Sequence, residues 1–262
     1  MPRQRLGQHF LGGIGWRRRI LEALPLTPNQ TWVEIGPGHG AMTQLLTGDG
    51  RRVIAIETDT TLADGLRALV DTEPSRWPAV EIVGGDVLTV NIGDLAWGQF
   101  HVYGNLPYYI TSPILHHLFG WADRTASIHI VIQLEVAQRI TARPGVRDYG
   151  YLSTLCQFYS RPKIALRIPP GAFRPPPQVQ SALVTMTLPG ERAKLNVQDE
   201  KGFLEFVRTC FAQKRKTLRN NLLGIANDQQ IAEAFAACAI RADARGEQLT
   251  LSQFAALFSQ LL

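Results

Sequence analysis

Between residues 31 and 188 short apolar runs alternate with stretches whose apolar positions recur every three or four residues. Thr31–Gly36, Arg52–Glu57, Val80–Asp86, His101–Asn105 and Ile128–Gln133 are nearly continuous in β-branched and other apolar residues. Such runs predict parallel strands buried on both faces, because a sheet with one wet face would show strict alternation. Helical spacing falls between them, notably at 39–47, 60–70 and 113–119. Repeated strand–helix units predict a doubly wound α/β sheet. Two further strands, Ile164–Ile168 and Ala182–Leu188, are separated only by a proline-rich loop, which favours an antiparallel hairpin over another crossover. The sheet is therefore expected to be mostly parallel with an antiparallel end. Beyond Pro189-Gly190 the strand signal stops, and 200–212, 215–223, 228–238 and 252–261 carry helical spacing. The expectation is two domains: 1–189, holding the sheet, and 190–262, small and all-helical.

Composition adds limits rather than a function. The chain has 262 residues, 45% hydrophobic and 19% charged, enough for one large α/β domain with an appendage. No apolar run approaches the roughly 18–20 residues that span a bilayer. No apolar h-region precedes Gln8. A cytoplasmic protein without membrane contact is expected. Cys156, Cys210 and Cys238 lie too far apart for a disulfide framework or a zinc knuckle. His116 and His117 are adjacent, and neighbours on a helix point about 100° apart, so no metal site is expected.

Charge is more informative in its distribution than in its net value of +5. Residues 1–19 contain Arg3, Arg5, Arg17, Arg18 and Arg19 with no acid, and Lys214, Arg215, Lys216 and Arg219 cluster in a helical pattern. Two separated basic patches suit a phosphate backbone, with a merely solvated surface as the alternative.

The first strand runs into Glu34-Ile35-Gly36-Pro37-Gly38-His39-Gly40-Ala41. Glycines here let the backbone turn tightly and approach a ligand at a helix N-terminus. The same string satisfies a relaxed dinucleotide fingerprint, so on its own it leaves a nicotinamide enzyme open. Glu57 ends the second strand, where a carboxylate can accept from both ribose hydroxyls. Asp86 ends the third, where it can accept from an adenine amino group. Three such strand tips facing one crevice point to a nucleoside-containing cofactor.

The fourth strand ends in Asn105-Leu106-Pro107-Tyr108. Methylation of an adenine amino group needs acceptors for both amino hydrogens, because the nitrogen lone pair is delocalised into the ring. The Asn105 side-chain carbonyl and the Leu106 backbone carbonyl can supply them. Pro107 holds the preceding residue extended, and Tyr108 offers a stacking face for an extruded base.

With these residues in place, the chain resembles the ribosomal RNA adenine dimethyltransferases of the KsgA type. The matching stretches are Arg5–Leu11, Glu34–Gly40, Ile56-Glu57, Gly85-Asp86, Gly104–Tyr108, Tyr149-Gly150 with Leu152-Ser153, Pro169–Phe173 with Pro175–Pro177, and Ser181-Ala182. In the helical region Phe211, Arg215-Lys216, Leu218, Asn220 and Arg245–Phe254 match as well. The resemblance implies a Rossmann-like class I methyltransferase fold and S-adenosylmethionine as cofactor, with S-adenosylhomocysteine as product. It implies cofactor contacts at His9, Leu11, Gly36, Gly38, Glu57, Asp86 and Asn105, and a Phe173 ring packed against the target base opposite Tyr108. The implied substrate is a pair of adjacent adenosines near the 3′ end of 16S ribosomal RNA, within an immature 30S particle. Arg3, Arg5, Lys214, Arg215, Lys216 and Arg219 would dock that RNA, a monomer would suffice, and the act would belong to small-subunit biogenesis. Two positions depart from the family pattern: His9 and Tyr109 each stand where Asn is usual. A large-subunit methyltransferase of the macrolide-resistance type and an assembly factor without catalysis are the rival readings.

Overall fold

The computed structural model describes residues 9–107 and 109–262. Its strands are β1 (Phe10–Leu11), β2 (Thr31–Ile35), β3 (Arg52–Glu57), β4 (Val80–Gly84), β5 (Phe100–Asn105), β6 (Thr125–Gln133), β7 (Arg161–Ile168), β8 (Phe173–Arg174) and β9 (Ser181–Thr187). Seven of them form one sheet in the order β4-β3-β2-β5-β6-β9-β7. From β4 to β6 the pairs are parallel, and β9 runs antiparallel to β6. Every run read as a strand from the sequence lies in this sheet.

Burial follows strand order. In β2, β3, β6 and β9 nearly every position is buried, while β4 and β7, at the two edges, keep exposed positions. The continuous Val-Ile runs are therefore the central strands, where each buried aliphatic side chain contributes about 1.5–3 kcal/mol.

Around the sheet lie α1 (Ile14–Glu22), α2 (Thr43–Leu46), α3 (Thr60–Thr72), α4 (Ile92–Leu95) and α5 (Thr111–Phe119). Asp59 starts α3 by accepting from the backbone of Thr61 and Leu62, the usual way a short acidic side chain satisfies orphan N–H groups. The helix expected over 39–47 shrinks to α2, because left-handed glycines at 36, 38 and 40 occupy the preceding turn. Helix α1 was not foreseen. It carries Arg17, Arg18 and Arg19, with the Arg19 guanidinium 4.9 Å from the centre of the Trp16 ring.

The chain forms two compact units. One runs as far as Ala137 and resumes over Lys163–Leu188; the other comprises Gln138–Pro162 and Pro189–Leu262. The single boundary expected near 190 is thus joined by two earlier crossings. The chain crosses into the second unit within α6 (Leu134–Thr141), and that unit holds α7 (Tyr151–Tyr159), α8 (Arg192–Leu195), α9 (Glu200–Cys210), α10 (Leu218–Leu222), α11 (Asp228–Ala237) and α12 (Leu251–Leu261). Aromatic contacts explain why 138–162 belongs here: Phe158 lies 5.2 Å from Phe203 and Tyr149 lies edge-on to Phe211. Among the described residues, no helix is long and apolar enough to cross a membrane.

Candidate active site

Strand register brings the sequence motifs level. Ile35 pairs with both Ile56 and Gly104, and Glu57 pairs with Gly84. Gly36, Glu57, Gly85 and Asn105 therefore emerge at the same end of four adjacent strands. This is the carboxyl end, flanking the point where strand order reverses between β2 and β5, the usual ligand crevice of open α/β sheets. A cavity of about 270 Å³ opens there. Its lining includes His9, Gly36, Gly38, Glu57, Asp86, Asn105, Leu106 and Pro107, together with Phe10 and Tyr109.

The turn and the acid hold each other. Gly36 N–H donates to the Ile56 carbonyl at 2.9 Å, and Gly38 N–H donates to Glu57 Oε2 at 2.9 Å. Glu57 Oε1 accepts from Asp59 N–H at 3.0 Å. Each carboxylate oxygen thus has one backbone donor and a lone pair to spare. Gly38 has φ +57°, and a Cβ on it would lie 2.7 Å from Phe10 Cε1, so the ring sits directly against the turn. Asp86 is exposed; its Oδ1 accepts from Leu88 N–H at 3.0 Å, which leaves Oδ2 for a donor in the cavity.

Just behind the turn Glu34 is 2% exposed. Burial pushes its carboxyl up to about 7, and the neighbouring Glu57 charge adds to the shift. The Tyr103 hydroxyl, on the strand position paired with Glu34, is raised by burial and by that same carboxylate.

Asn105 is oriented by a partner distant in sequence. Its Nδ2 donates to the His9 backbone carbonyl at 2.8 Å, so Oδ1 is the end left to accept. His9 in turn is held through Nδ1, 2.8 Å from the Pro175 carbonyl. Leu106 N–H donates to the Val131 carbonyl at 3.1 Å, which fixes the strand tip from the β6 side. Antiparallel pairing of β1 with β8, with Phe10 opposite Arg174 and Leu11 opposite Phe173, carries the His9 segment to this position.

The sequence-predicted residues divide accordingly. His9, Gly36, Gly38, Glu57, Asp86, Asn105, Leu106 and Pro107 converge on one cavity. Leu11 and Phe173 do not line it: both are buried and pack in one apolar core with Ile20, Trp32 and Leu183. The stacking partner expected in Phe173 is thus a core side chain in this arrangement, set there by the β1–β8 pairing. Tyr108, Arg3 and Arg5 lie outside the described residues. Lys214, Arg215 and Lys216 are exposed on a turn rather than a helix, because α10 begins only at Leu218, capped by Thr217. Arg219 is engaged by Asp228 at 2.9 Å. The apolar lining also includes Phe10 and Ile56, which lie within the matching stretches but carry no expected contact, and Val87, Ile110 and Ile114, which the sequence does not single out. For Ile56 and Val87 the signal was positional, since they stand at strand tips read from the sequence; Phe10 lies in β1 and Ile114 in α5, which places them here only in the folded sheet.

A model of the family described as ribosomal RNA adenine dimethylase matches residues 2–261. The chain belongs to that family. The "Ribosomal RNA small subunit methyltransferase A" of Acidobacterium capsulatum is 43% identical over 260 residues, covering 98% of this chain and 90% of the relative. The protein of the same name from Moorella thermoacetica is 39% identical, covering 98% and 91%. Among solved structures, a dimethyladenosine transferase from Plasmodium falciparum superimposes with a TM-score of 0.80 at 21% identity, over 95% of this chain and 96% of that one; this likeness bears on the fold. The 23S rRNA methyltransferase ErmE follows with a TM-score of 0.69 at 25% identity, over 96% and 99%. This family member therefore has the class I methyltransferase sheet, with the family's motifs at the carboxyl ends of its strands.

Proposed function

We propose that the protein uses S-adenosylmethionine to place two methyl groups on N6 of each of two adjacent adenosines near the 3′ end of 16S ribosomal RNA. The observation that carries this reading is the Asn105 amide. With Nδ2 given to the His9 carbonyl, Oδ1 is an open acceptor on the wall of the cavity that Gly36, Glu57 and Asp86 also line. The Leu106 carbonyl, beside it, is the second acceptor, and Pro107 favours the extended backbone that would aim it.

Two acceptors are what the chemistry asks for. An exocyclic adenine nitrogen is planar and weakly nucleophilic, and its hydrogens are not acidic, so a strong base gains little. In the first transfer, hydrogen bonds from both N–H groups to Asn105 Oδ1 and the Leu106 carbonyl favour the pyramidal nitrogen, whose lone pair is localised for attack; in the second, the one remaining N–H is held by one of these acceptors. Preorganised dipoles of this kind need no rearrangement as charge develops. An amide oxygen is too weak a base to keep the proton displaced from nitrogen, so the proton passes to water.

When bound, S-adenosylmethionine supplies an electrophilic methyl group on positively charged sulfur. The residues present fit it. Glu57 has two spare lone pairs for a ribose diol, Asp86 has a free carboxylate oxygen for an amino group, and Gly36 lines the cavity with nothing within 4 Å of where a Cβ would stand. Tyr108, beside Pro107, is assigned the stacking face for the target base. The exposed Lys214, Arg215 and Lys216 are assigned to the RNA backbone. Phosphate contacts release counterions, so affinity for RNA should fall steeply with salt.

The small-subunit substrate is preferred to a large-subunit one because the relatives named for the small subunit reach 43% identity, against 25% for ErmE. A monomer acting in the cytoplasm on an immature 30S particle completes the reading. The test is incubation of the protein with methyl-labelled S-adenosylmethionine and small subunits lacking these methyl groups, followed by nucleoside analysis. Labelled N6,N6-dimethyladenosine from the 3′ region of 16S RNA is the expected product. Label confined to large-subunit RNA, or to another base, would exclude this function.

A further inference from the structure

Tyr109 lies just beyond the catalytic strand tip. It lines the same cavity as Asn105, Leu106 and Pro107, yet it is 65% exposed. A ring that both borders a cavity and faces solvent sits at the mouth. The backbone beyond it is fixed: Ile110 N–H donates to the Pro107 carbonyl at 3.3 Å, and α5 begins immediately afterwards at Thr111. Most large apolar side chains near this site are buried, including Leu106 and Ile114, each 2% exposed or less. Leaving an aromatic ring in water at the rim needs a reason that packing does not provide.

Building on the N6-methylation reading, we propose that Tyr109 is a stacking platform for the nucleobase flanking the target adenine. An extruded adenine presents its amino edge to Asn105 Oδ1 and the Leu106 carbonyl, inside the cavity. The next base of the strand leaves at the mouth, where it has lost one stacking neighbour. A tyrosine face replaces that neighbour, tolerates any base, and loses little conformational freedom because only two side-chain torsions are fixed. Solvent exposure is what such a platform requires in the absence of RNA. A ring serving the target base itself would lie within the cavity wall, as Leu106 does. Tyr109 is therefore a positioning residue, acting on how RNA is held and not on the reacting atoms.

The arrangement has a directional consequence. One ring can serve only one flank, either the 5′ or the 3′ side of the target. Of two adjacent adenosines, one is methylated with the other adenosine on Tyr109, and the other with the base outside the pair in that place.

The experiment uses the full-length protein and small subunits reconstituted with 16S RNA made abasic at one or the other of the two adenosines. KM and kcat for methylation of the remaining adenosine are measured for the wild type, Tyr109→Phe and Tyr109→Ala. Base–aromatic stacking predicts that one abasic substitution, and not the other, raises the wild-type KM about tenfold. Tyr109→Ala should raise KM about tenfold on intact RNA with kcat little changed, and should then be indifferent to the abasic site. Tyr109→Phe should behave as wild type. If Tyr109→Ala and the abasic site multiply their effects, or if Tyr109→Ala leaves KM within about twofold, the platform is refuted while the N6 chemistry stands. Absence of N6 product from the wild type on intact subunits would instead overturn the functional reading, and the platform with it.

Discussion

At Gly36 and Gly38 the same residue type is required for two different reasons. Gly36 has φ +67° with nothing within 4 Å of a would-be Cβ, so any side chain there would be strained but not crowded. Gly38 adds a collision with Phe10 Cε1 at 2.7 Å to a φ of +57°. Gly38→Ala should therefore displace the Phe10 ring or the N–H that donates to Glu57, and weaken S-adenosylmethionine binding about tenfold or more, given ~1–2 kcal/mol for the left-handed backbone alone. Isothermal titration checks this, and an unchanged dissociation constant would count against the turn as the cofactor cradle. The glycines, Glu57 and Asp86 were legible in the sequence because their role follows from strand-tip position. The orientation of the Asn105 amide was not, since it depends on a carbonyl at His9, a long-range partner that no local pattern encodes.

The elements of the sheet carry a polar chain across their N-terminal half. Gln30 Oε1 accepts from Thr27 N–H at 2.9 Å and from the Trp32 indole at 3.3 Å, so its Nε2 must donate to His101 Nε2 at 3.0 Å. His101 then donates through Nδ1 to Ser127 at 2.7 Å, Ser127 donates to His129 Nε2 at 2.7 Å, and His129 Nδ1 faces Thr185 at 3.3 Å. The sequence of donors makes both histidines neutral. Burial pushes His129 down to about 3, with His101 and Lys163 adding to the effect, and lowers His101 as well. A histidine held below its unfolded value of 6.5 binds fewer protons folded than unfolded, so its contribution to stability is lost as pH falls below 6.5. Glu34, raised from 4.5 to about 7, works the other way: its contribution is lost as pH rises through that window. The two oppose each other between pH 5 and 6.5. Glu34→Gln removes one side, and its unfolding free energy in urea should fall with decreasing pH more steeply than wild type, by about one proton or ~1.4 kcal/mol per pH unit. Parallel pH profiles for the two proteins would show that Glu34 is ionised in the fold. None of this chain of donors was readable beforehand, because it joins residues from four strands whose order only the folded sheet establishes. The two-residue strands β1 and β8 escaped for a related reason, being too short to show any period.

For the whole molecule, the alternation of apolar runs and helical spacing was enough to foresee the sheet, its antiparallel end and a helical C-terminal region. What it could not foresee was that residues 138–162 join that region, because the reason is aromatic packing of Tyr149 and Phe158 onto side chains more than forty positions away. The division matters for function in one respect. The whole described lining of the cavity comes from the unit that contains the sheet, so the proposed chemistry stands or falls on strand-tip residues alone. Single-turnover methyl transfer by Asn105→Ala, measured beside its affinity for S-adenosylmethionine, examines that dependence most directly. The predicted result is a rate lower by about 100-fold or more, the scale of a lost preorganised hydrogen bond in a transition state, with cofactor affinity reduced far less. Turnover close to that of the wild type would contradict the two-acceptor mechanism.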